Sequence, residues 1–239
     1  GGEFSTVTAA VGAAVGTDDT LPMLTGVRLD VGDTVQAATT DRFRLVVAEV
    51  PSTIRTSEDV GLLIPGKALT AFGKFTAKEQ CISVSAADNL IRLESDTVRL
   101  TVRKLDCEFP KYMRLFPDVD DYQVTFTVDP AALGKRLKSL ASQQHNVRLE
   151  ISQAGITAWG YGKSDSESRF TIDAAELSVN VPDAFDAMVT AFNASYLAEI
   201  LLAVPKGLKA SFGIVAPNRP MVIAWTGVKA ILMPVRIPG

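Results

Sequence analysis

The sequence has few of the residues from which metal and nucleophilic sites are built. Histidine occurs once, as His145, and cysteine twice, as Cys81 and Cys107, which stand 26 positions apart. A structural zinc site needs four such ligands at short spacings, and these three residues do not supply them. The sequence therefore argues against a zinc site, and we expect both cysteines to be buried thiols.

Recognisable catalytic and nucleotide-binding motifs are also missing. His145 has no Ser, Cys or acidic partner at a motif spacing, which favours a surface or capping role, and Gly160-Tyr161-Gly162 does not form a phosphate loop. The acidic runs at 118–121 and 165–167 lack the ligand spacing of a calcium loop and fit solvated turns. We expect no enzymatic activity, no cofactor and no metal. The alternative is an enzyme built on two repeated α+β domains. Such an enzyme would require a polar pocket that contains titratable groups with shifted pKa values.

The sequence lacks long apolar runs, an apolar leader and an excess of positive charge. No run approaches the ~20 residues of a membrane helix, so a cytoplasmic protein is the simple expectation. The net charge of −3 argues against a broadly basic DNA-binding surface, so any contact with DNA would come from a local group of basic residues. The first residues, Gly1-Gly2-Glu3-Phe4, lack an initiator methionine and suggest a cloning scar before a fragment of something longer.

Two distant stretches repeat each other. Val-Arg-Leu-Asp-Val at 27–31 matches Val-Arg-Leu-Glu-Ile at 147–151, an offset of 120 residues. Each stretch follows a segment with helical character, at 4–16 and at 130–144, and a second helix is expected to open at Pro65 and at Asn193. An offset this large indicates two related domains and not a short-period solenoid.

Strand patterns follow both second helices. Alternating segments lie at 80–85, 89–94 and 97–104 in the first copy, and at 209–215, 221–225 and 229–236 in the second. The pattern predicts an α+β fold, with two tandem repeats of two helices packed on a mainly antiparallel sheet. The apolar pattern breaks at 117–121, which predicts domains at 1–118 and 119–239.

Three segments combine apolar residues with arginine in an unusual way. They are Thr40-Asp41-Arg42-Phe43-Arg44-Leu45, Phe109-Pro110-Lys111-Tyr112-Met113-Arg114-Leu115-Phe116-Pro117 and the C-terminal Ile231-Leu232-Met233-Pro234-Val235-Arg236-Ile237-Pro238-Gly239. A last strand this apolar must pair with a sheet or face a ligand groove. Together the segments resemble the bacterial replicative sliding clamp, the beta subunit of DNA polymerase III. The resemblance continues in family order through the stretches at 21–29, 192–197 and 217–223.

The resemblance implies that the two repeats are the family's second and third DNA-clamp domains. The chain would then be part of a sliding clamp, the processivity factor that tethers the DNA polymerase III catalytic subunit, the clamp loader and repair polymerases to DNA. Such partners bind through short linear motifs in a groove between the two domains, with one or two buried anchors. The resemblance places on the first domain's side of this groove Leu24, Thr40, Arg42, Leu45, Pro110, Arg114 and Leu115, and on the other side Asn193, Tyr196, Pro220, Ile231, Met233, Pro234, Val235 and Arg236.

Two further expectations concern the groove and its alternatives. Leu24, Leu45, Leu115, Ile231 and Met233 would form an apolar floor, unless they are ordinary core. The resemblance places Arg42 where clamps often carry glycine, although arginine also fits some members that read Asp-Arg-Phe-Arg-Leu, and its long side chain would narrow the pocket at one wall. The alternative function is a clamp-like peptide-binding protein, a decoy or a drug-resistant variant, that does not encircle DNA.

Contact with double-stranded DNA would be weak and non-specific, because a clamp holds DNA by topology. The full-length family closes as a head-to-tail homodimer ring around the duplex. Basic residues on expected helix faces are candidates to face the DNA, with solvated surface as the alternative: Lys67, Lys74, Lys78, Lys135, Arg136 and Lys138. The segments 4–16 and 193–204 contain no basic residue, which argues against strong DNA binding by this chain alone.

Overall fold

A computed structural model describes residues 2–32, 34–51, 60–79, 81–162, 168–173, 178–181 and 185–237. The acidic run 165–167 and the last two residues, 238–239, lie outside the described residues. The chain divides into two compact units, Gly1–Lys111 and Tyr112–Gly239. The contact boundary therefore falls after residue 111, whereas the sequence pattern places it after residue 118.

The first unit contains two helices and two antiparallel sheets in its described part. Its elements in chain order are α1 (Gly2–Gly12), β1 (Gly26–Val31), β2 (Thr34–Thr40), β3 (Arg44–Pro51), β4 (Val60–Pro65), α2 (Gly66–Phe75), β5 (Ser83–Ala87), β6 (Leu90–Glu94) and β7 (Arg99–Arg103). The strands of one sheet follow the order β3-β2-β1-β4, and those of the other the order β5-β6-β7.

Over its described residues, the second unit repeats this arrangement with two additional strands. Its elements are β8 (Val124–Val128), α3 (Pro130–Gln143), β9 (Asn146–Ser152), β10 (Gly155–Tyr161), β11 (Ser168–Asp173), β12 (Ser178–Asn180), β13 (Met188–Asn193), α4 (Ala194–Leu202), β14 (Ala210–Ile214), β15 (Met221–Trp225) and β16 (Val228–Leu232). The two strand orders are β11-β10-β9-β13 and β12-β8-β14-β15-β16, and the pairs are antiparallel.

The predicted duplication is confirmed at the level of topology. β1 follows α1 and lies between β2 and β4, and β9 follows α3 and lies between β10 and β13. In both units the strand before the second helix pairs with the strand of the repeated stretch: β4 pairs with β1, and β13 pairs with β9. The order β3-β2-β1-β4 therefore has its counterpart in β11-β10-β9-β13. The predicted α+β fold of two tandem repeats is correct.

One-sided burial explains why the repeated stretches form strands. In β9, Val147, Leu149 and Ile151 are buried, whereas Arg148 is exposed and Glu150 half-buried. Successive strand residues point to opposite faces, so this alternation presents one apolar face to the helices. β1 repeats the pattern with Val27, Leu29 and Val31. Burying three such side chains contributes roughly 1.5–3 kcal/mol each before entropy is counted.

The helices begin and pack as their sequences dictate. Asp129 Oδ1 accepts hydrogen bonds from the backbone N–H groups of Ala131 and Ala132 (2.8 and 3.3 Å), which caps α3. α1 and α2 pack closely because Gly73 has no side chain, and a Cβ at this position would lie 2.7 Å from Thr8 Cβ. Leu69 and Phe72 complete the buried face of α2.

Two expectations about local structure are wrong. The first helix ends at Gly12 and not at residue 16, because its last turn tightens into i to i+3 bonds at Ala13 and Ala14. The last strand ends at Leu232, since Pro234 has no N–H with which to continue a ladder.

The cysteines are not buried thiols. Cys81 is exposed next to the exposed strand β5, and Cys107 is half-buried. Burial still raises the pKa of Cys107, and the negative charge of Asp106 raises it further.

Candidate functional site

Two hydrogen bonds from its backbone hold the C-terminal segment 233–237 to the rest of the second unit. The Val235 N–H donates to the Ala191 carbonyl (2.8 Å), and the Tyr161 hydroxyl donates to the Arg236 carbonyl (3.3 Å). Arg236 is exposed, and the Met233 side chain is 43% exposed. The segment thus has a fixed backbone and leaves an adaptable thioether side chain accessible.

The start of α4 brings further predicted residues together. Asn193 is the N-cap of this helix, and its Oδ1 accepts a hydrogen bond from the Tyr196 backbone N–H (3.0 Å). The Thr190 hydroxyl donates to the Pro217 carbonyl (2.9 Å), which fixes the turn before β15 that contains Pro220. Asn193, Tyr196 and Pro220 are half-buried, and Ala191, which anchors Val235, precedes Asn193 by two residues on β13.

Some residues predicted for an apolar floor belong to the cores of their own units. Leu24, Leu45 and Ile231 are 6%, 3% and 3% exposed. Leu115 and Met233 are the exposed members of the set, at 58% and 43%. The accessible apolar surface of the predicted set therefore comes mainly from Leu115 and Met233.

Residues 109–117 contain two buried aromatic residues among more accessible positions. Phe109 and Tyr112 are each 8% exposed, whereas Pro110, Arg114 and Leu115 face solvent. Met113–Leu115 forms a short 3-10 helix, and the Leu115 N–H donates to the Tyr112 carbonyl (2.9 Å). Arg114 and Leu115 belong to the second compact unit, although the resemblance places them on the first domain's side.

Thr40, Arg42 and Leu45 lie at the hairpin between β2 and β3. Asp41 Oδ1 accepts from the N–H groups of Phe43 and Arg44 (3.0 and 2.9 Å), and Arg44 Nε donates to Asp41 Oδ2 (2.9 Å). The Arg44 and Asp41 side chains of this ion pair are only 8% and 11% exposed. Sequence analysis missed Phe43, which projects from the hairpin with 51% of its surface exposed.

The basic residues predicted to face DNA differ in their surroundings. All six are exposed. Lys67 and Lys74 lie on α2, while Lys78 lies in the turn after that helix. On α3, Lys135 and Lys138 are three residues apart and share one face. Arg136 instead turns to the sheet, where it donates to the Thr171 carbonyl (3.4 Å) and lies 5.9 Å from the Phe170 ring centre.

A stack of two arginines on one tryptophan was also missed by sequence analysis. Trp159 on β10 is the direct cross-strand partner of Arg148 on β9 and of Arg169 on β11. Their guanidinium carbons lie 5.6 and 4.9 Å from the indole ring centre, within the range of cation–π attraction. Tyr161 lies two residues further on the same face of β10, and burial raises its pKa although the charge of Arg148 opposes the shift.

The described residues offer little for catalysis. No group of three or more His, Cys, Asp or Glu among them is arranged to hold a metal ion, and His145 is exposed. A cleft of about 190 Å³ lies beside the start of α3, with Asp129, Arg136 and Ile172 among its lining residues. Pockets for small ligands are usually larger, about 300–1,000 Å³. None of the described helices has the length and apolar character needed to span a bilayer.

Comparisons with known proteins agree with this architecture. The family described as "DNA polymerase III beta subunit, central domain" matches residues 2–111. The beta sliding clamp of Streptomyces coelicolor is 30% identical, over 99% of this chain and 65% of that protein. The beta sliding clamp homolog GriR of Streptomyces muensis is 26% identical over the same shares. This chain thus spans about 65% of the length of these curated relatives.

Solved structures show the same fold. The beta subunit of DNA polymerase from Streptococcus pyogenes superposes with a TM-score of 0.85 at 22% identity, over 98% of this chain and 64% of that one. The sliding clamp of Pseudomonas aeruginosa gives 0.85 at 17% identity, over 99% and 64%. The chain belongs to the DNA polymerase III beta-subunit family.

Proposed function

We propose that this chain is part of a DNA sliding clamp, a processivity factor without enzymatic activity of its own. The observation that carries the proposal is the 30% identity to a beta sliding clamp over 99% of the chain. The repeated order of four strands in the two units supports it. In the full-length protein, a homodimer ring would encircle double-stranded DNA and hold polymerases close to it.

The alternative, a clamp-like protein that binds peptides without encircling DNA, is less well supported. The relative called a clamp homolog, GriR, is 26% identical, whereas two relatives called beta sliding clamps reach 30% and 32%. Nothing in the described residues favours the alternative over a clamp proper.

Short linear motifs of partner proteins would bind a groove built from the predicted site residues. The supporting features in the second unit are the anchored segment 233–237, the exposed Met233 and the capped start of α4 with Tyr196. The DNA polymerase III catalytic subunit, the clamp loader and repair polymerases would compete for it. Because the backbone of the segment is already fixed, little ordering entropy would be lost when a peptide binds.

Fluorescence polarisation tests the groove. A labelled peptide of the clamp-binding type, Gln-Leu-Ser-Leu-Phe, is titrated with the 239-residue chain and with Met233→Ala and Arg114→Ala. Each change is expected to weaken binding about 5- to 30-fold, as for a residue near an anchor that contributes 1–2 kcal/mol.

The matched control variants remove similar side chains of similar exposure at positions outside the predicted groove. Leu90, on β6, is 44% exposed, which is close to Met233, and Arg92 on the same strand is exposed like Arg114. Leu90→Ala and Arg92→Ala are expected to bind as the unsubstituted chain does. If the folded chain binds no peptide, or if both pairs lose binding equally, the groove proposal fails.

DNA contact would come from the predicted basic residues on α2 and α3. Lys135 and Lys138 are the best placed, because Arg136 is engaged with β11. The test is association with a short fluorescent duplex at low salt, comparing Lys135→Glu/Lys138→Glu with Lys206→Glu/Lys209→Glu, an exposed lysine pair elsewhere in the unit. The first pair is expected to weaken association more, with a difference that vanishes as salt rises. Equal losses would count against DNA-facing roles for Lys135 and Lys138.

A further inference from the structure

The solvent face of the sheet β11-β10-β9-β13 carries an arginine–tryptophan row, which consists of Arg148, Trp159 and Arg169. Trp159 on β10 pairs across the strands with Arg148 on β9 and with Arg169 on β11. Both arginines are exposed, and their guanidinium carbons lie 5.6 and 4.9 Å from the centre of the half-buried indole ring. Two positive charges therefore reach one ring from the strands on either side of it.

The corresponding positions of the first unit carry different residues. Arg28 matches Arg148 in the repeated stretch, and it pairs across the strands with Ala38, which in turn pairs with Val47. Ala38 and Val47 are buried. Arg28 Nε donates to Asp30 Oδ1 (2.7 Å), so a neighbouring carboxylate neutralises this arginine. The same strand order thus forms without two arginines on a tryptophan, and the fold itself does not require the row.

The positive charge of the row is not neutralised within the described part of the chain. None of the ion pairs among the described residues includes Arg148 or Arg169. Glu150 lies on the same face of β9 but in the next row, opposite Thr157. Unlike Asp30 of the first unit, Glu150 forms no ion pair with the arginine two residues before it. Both guanidinium groups are therefore available to an anionic partner.

A guanidinium that stacks on an aromatic ring keeps its N–H groups for anions. The five N–H donors of arginine lie in the plane of the guanidinium, whereas attraction to the ring acts through the flat face of that group. A carboxylate can accept two of these N–H groups side by side. Because contact with the ring already restricts the long arginine side chains, less side-chain entropy is lost on binding than for two unrestrained arginines.

We propose that the arginine–tryptophan row binds an extended segment of a partner protein that carries two carboxylates. An extended chain advances roughly 3.3 Å per residue, so carboxylates two or three positions apart (~7–10 Å) can each reach one arginine. Glu150 in the next row favours a peptide over a nucleic acid. A peptide can present a neutral or basic residue to Glu150, whereas every nucleotide of a strand adds a phosphate. The row lies within the second unit and uses none of the residues of the proposed groove.

Nuclear magnetic resonance of the ¹⁵N-labelled chain tests the row, because the two tryptophans, Trp159 and Trp225, give two indole N–H signals. Trp225→Phe removes one signal and so assigns the other to Trp159. The probe is the end-capped peptide Gly-Asp-Ser-Asp-Gly, titrated at low salt beside Gly-Asn-Ser-Asn-Gly. The Asp peptide is expected to shift the Trp159 signal saturably and to leave Trp225 in place, while the Asn peptide shifts neither. High salt is expected to abolish the shift, because exposed charges are screened.

Substitutions assign the binding to the two guanidinium groups. Arg148→Gln and Arg169→Gln are each expected to weaken binding of the Asp peptide about two- to fivefold, as for the loss of one exposed ion pair. The double variant Arg148→Lys/Arg169→Lys keeps both charges but lacks the paired N–H groups, so it is also expected to bind more weakly. Arg28→Gln is the matched control, because Arg28 occupies the corresponding position of the first unit, and it is expected to bind as the unsubstituted chain does.

A thymidine trinucleotide, with two phosphates, separates recognition of carboxylates from attraction to any anion. It is expected to bind more weakly than the Asp peptide. The inference is wrong if the Asp peptide leaves the Trp159 signal of the folded chain in place, or if Arg28→Gln loses as much affinity as Arg148→Gln. It is also overturned if the trinucleotide binds at least as tightly as the Asp peptide. These titrations use no peptide of the clamp-binding type, so their failure would leave the groove proposal untouched.

Discussion

The Trp159 stack should contribute measurably to the stability of the second unit. Arg148→Ala and Arg169→Ala each remove one guanidinium from the indole ring, at 5.6 and 4.9 Å. Cation–π contacts at exposed sites contribute about 0.5–1 kcal/mol. Both arginines contact the same indole ring, so the two losses are coupled, and the double variant should lose about 0.5–2 kcal/mol.

Urea unfolding followed by tryptophan fluorescence measures this loss. The chain has two tryptophans, Trp159 and Trp225, and both lie in the second unit, so the emission reports that unit. The midpoint should shift while the slope stays constant, because the surface exposed on unfolding is unchanged. Arg148→Lys and Arg169→Lys should lose part of the effect, since an ammonium keeps the charge but lacks the planar stack.

Arg219→Ala is the matched control. Arg219 is exposed in the turn before β15, and no cation–π contact involves it in the described part of the chain. Its replacement should change stability by less than about 0.5 kcal/mol. If the double variant is no less stable than Arg219→Ala, the stack is an incidental contact of two solvated arginines and the reasoning is refuted.

Three further predictions follow from single contacts. Asn193→Ala should destabilise the second unit by about 1 kcal/mol through loss of the α4 cap, while Asn193→Asp should retain most of the stability; equal urea midpoints would contradict the cap. Tyr161→Phe should cost about 0.5–1.5 kcal/mol at neutral pH. Because the pKa of Tyr161 is raised in the fold, the stability contributed by its hydroxyl is fully present below the unfolded pKa of about 10 and is lost as the pH rises through the folded pKa. A difference in stability between Tyr161→Phe and the unsubstituted chain that persists in alkali would contradict this prediction. A maleimide should label Cys81 faster than Cys107, because Cys81 is exposed and burial raises the pKa of Cys107; mass spectrometry of the partly labelled chain measures the ratio, and equal rates would contradict the assignment.

The duplication was accessible from sequence because one-sided burial leaves a local pattern. Val27, Leu29 and Val31 alternate with polar residues, and the same alternation recurs 120 positions later. Asp129 and Asn193 signal the starts of α3 and α4 for a similar local reason, since a capping side chain acts within three residues of itself.

The candidate site was less accessible because its geometry depends on non-local features. The stack on Trp159 requires the register of three strands, and no segment of the sequence contains that register. The exposure of Cys81 depends on the surroundings of β5, which composition does not record. Arg42 has a φ of 80°, in the left-handed region that favours glycine, and a local rule that fails in this way is expected at functional positions.

The C-terminal segment shows how a chain can continue past a strand as an anchored and accessible segment. β16 contributes Ile231 and Leu232 to the core, and Pro234 then ends the ladder. Without further contacts the remaining residues would fray, because chain ends are ordered only where they are tied down. The bonds from Val235 to Ala191 and from Tyr161 to Arg236 supply those ties through the backbone alone. Met233, which precedes these two bonds, therefore lies on an anchored segment while its side chain stays accessible. Such preorganisation is what a surface needs if it is to bind many short peptides at low entropic cost.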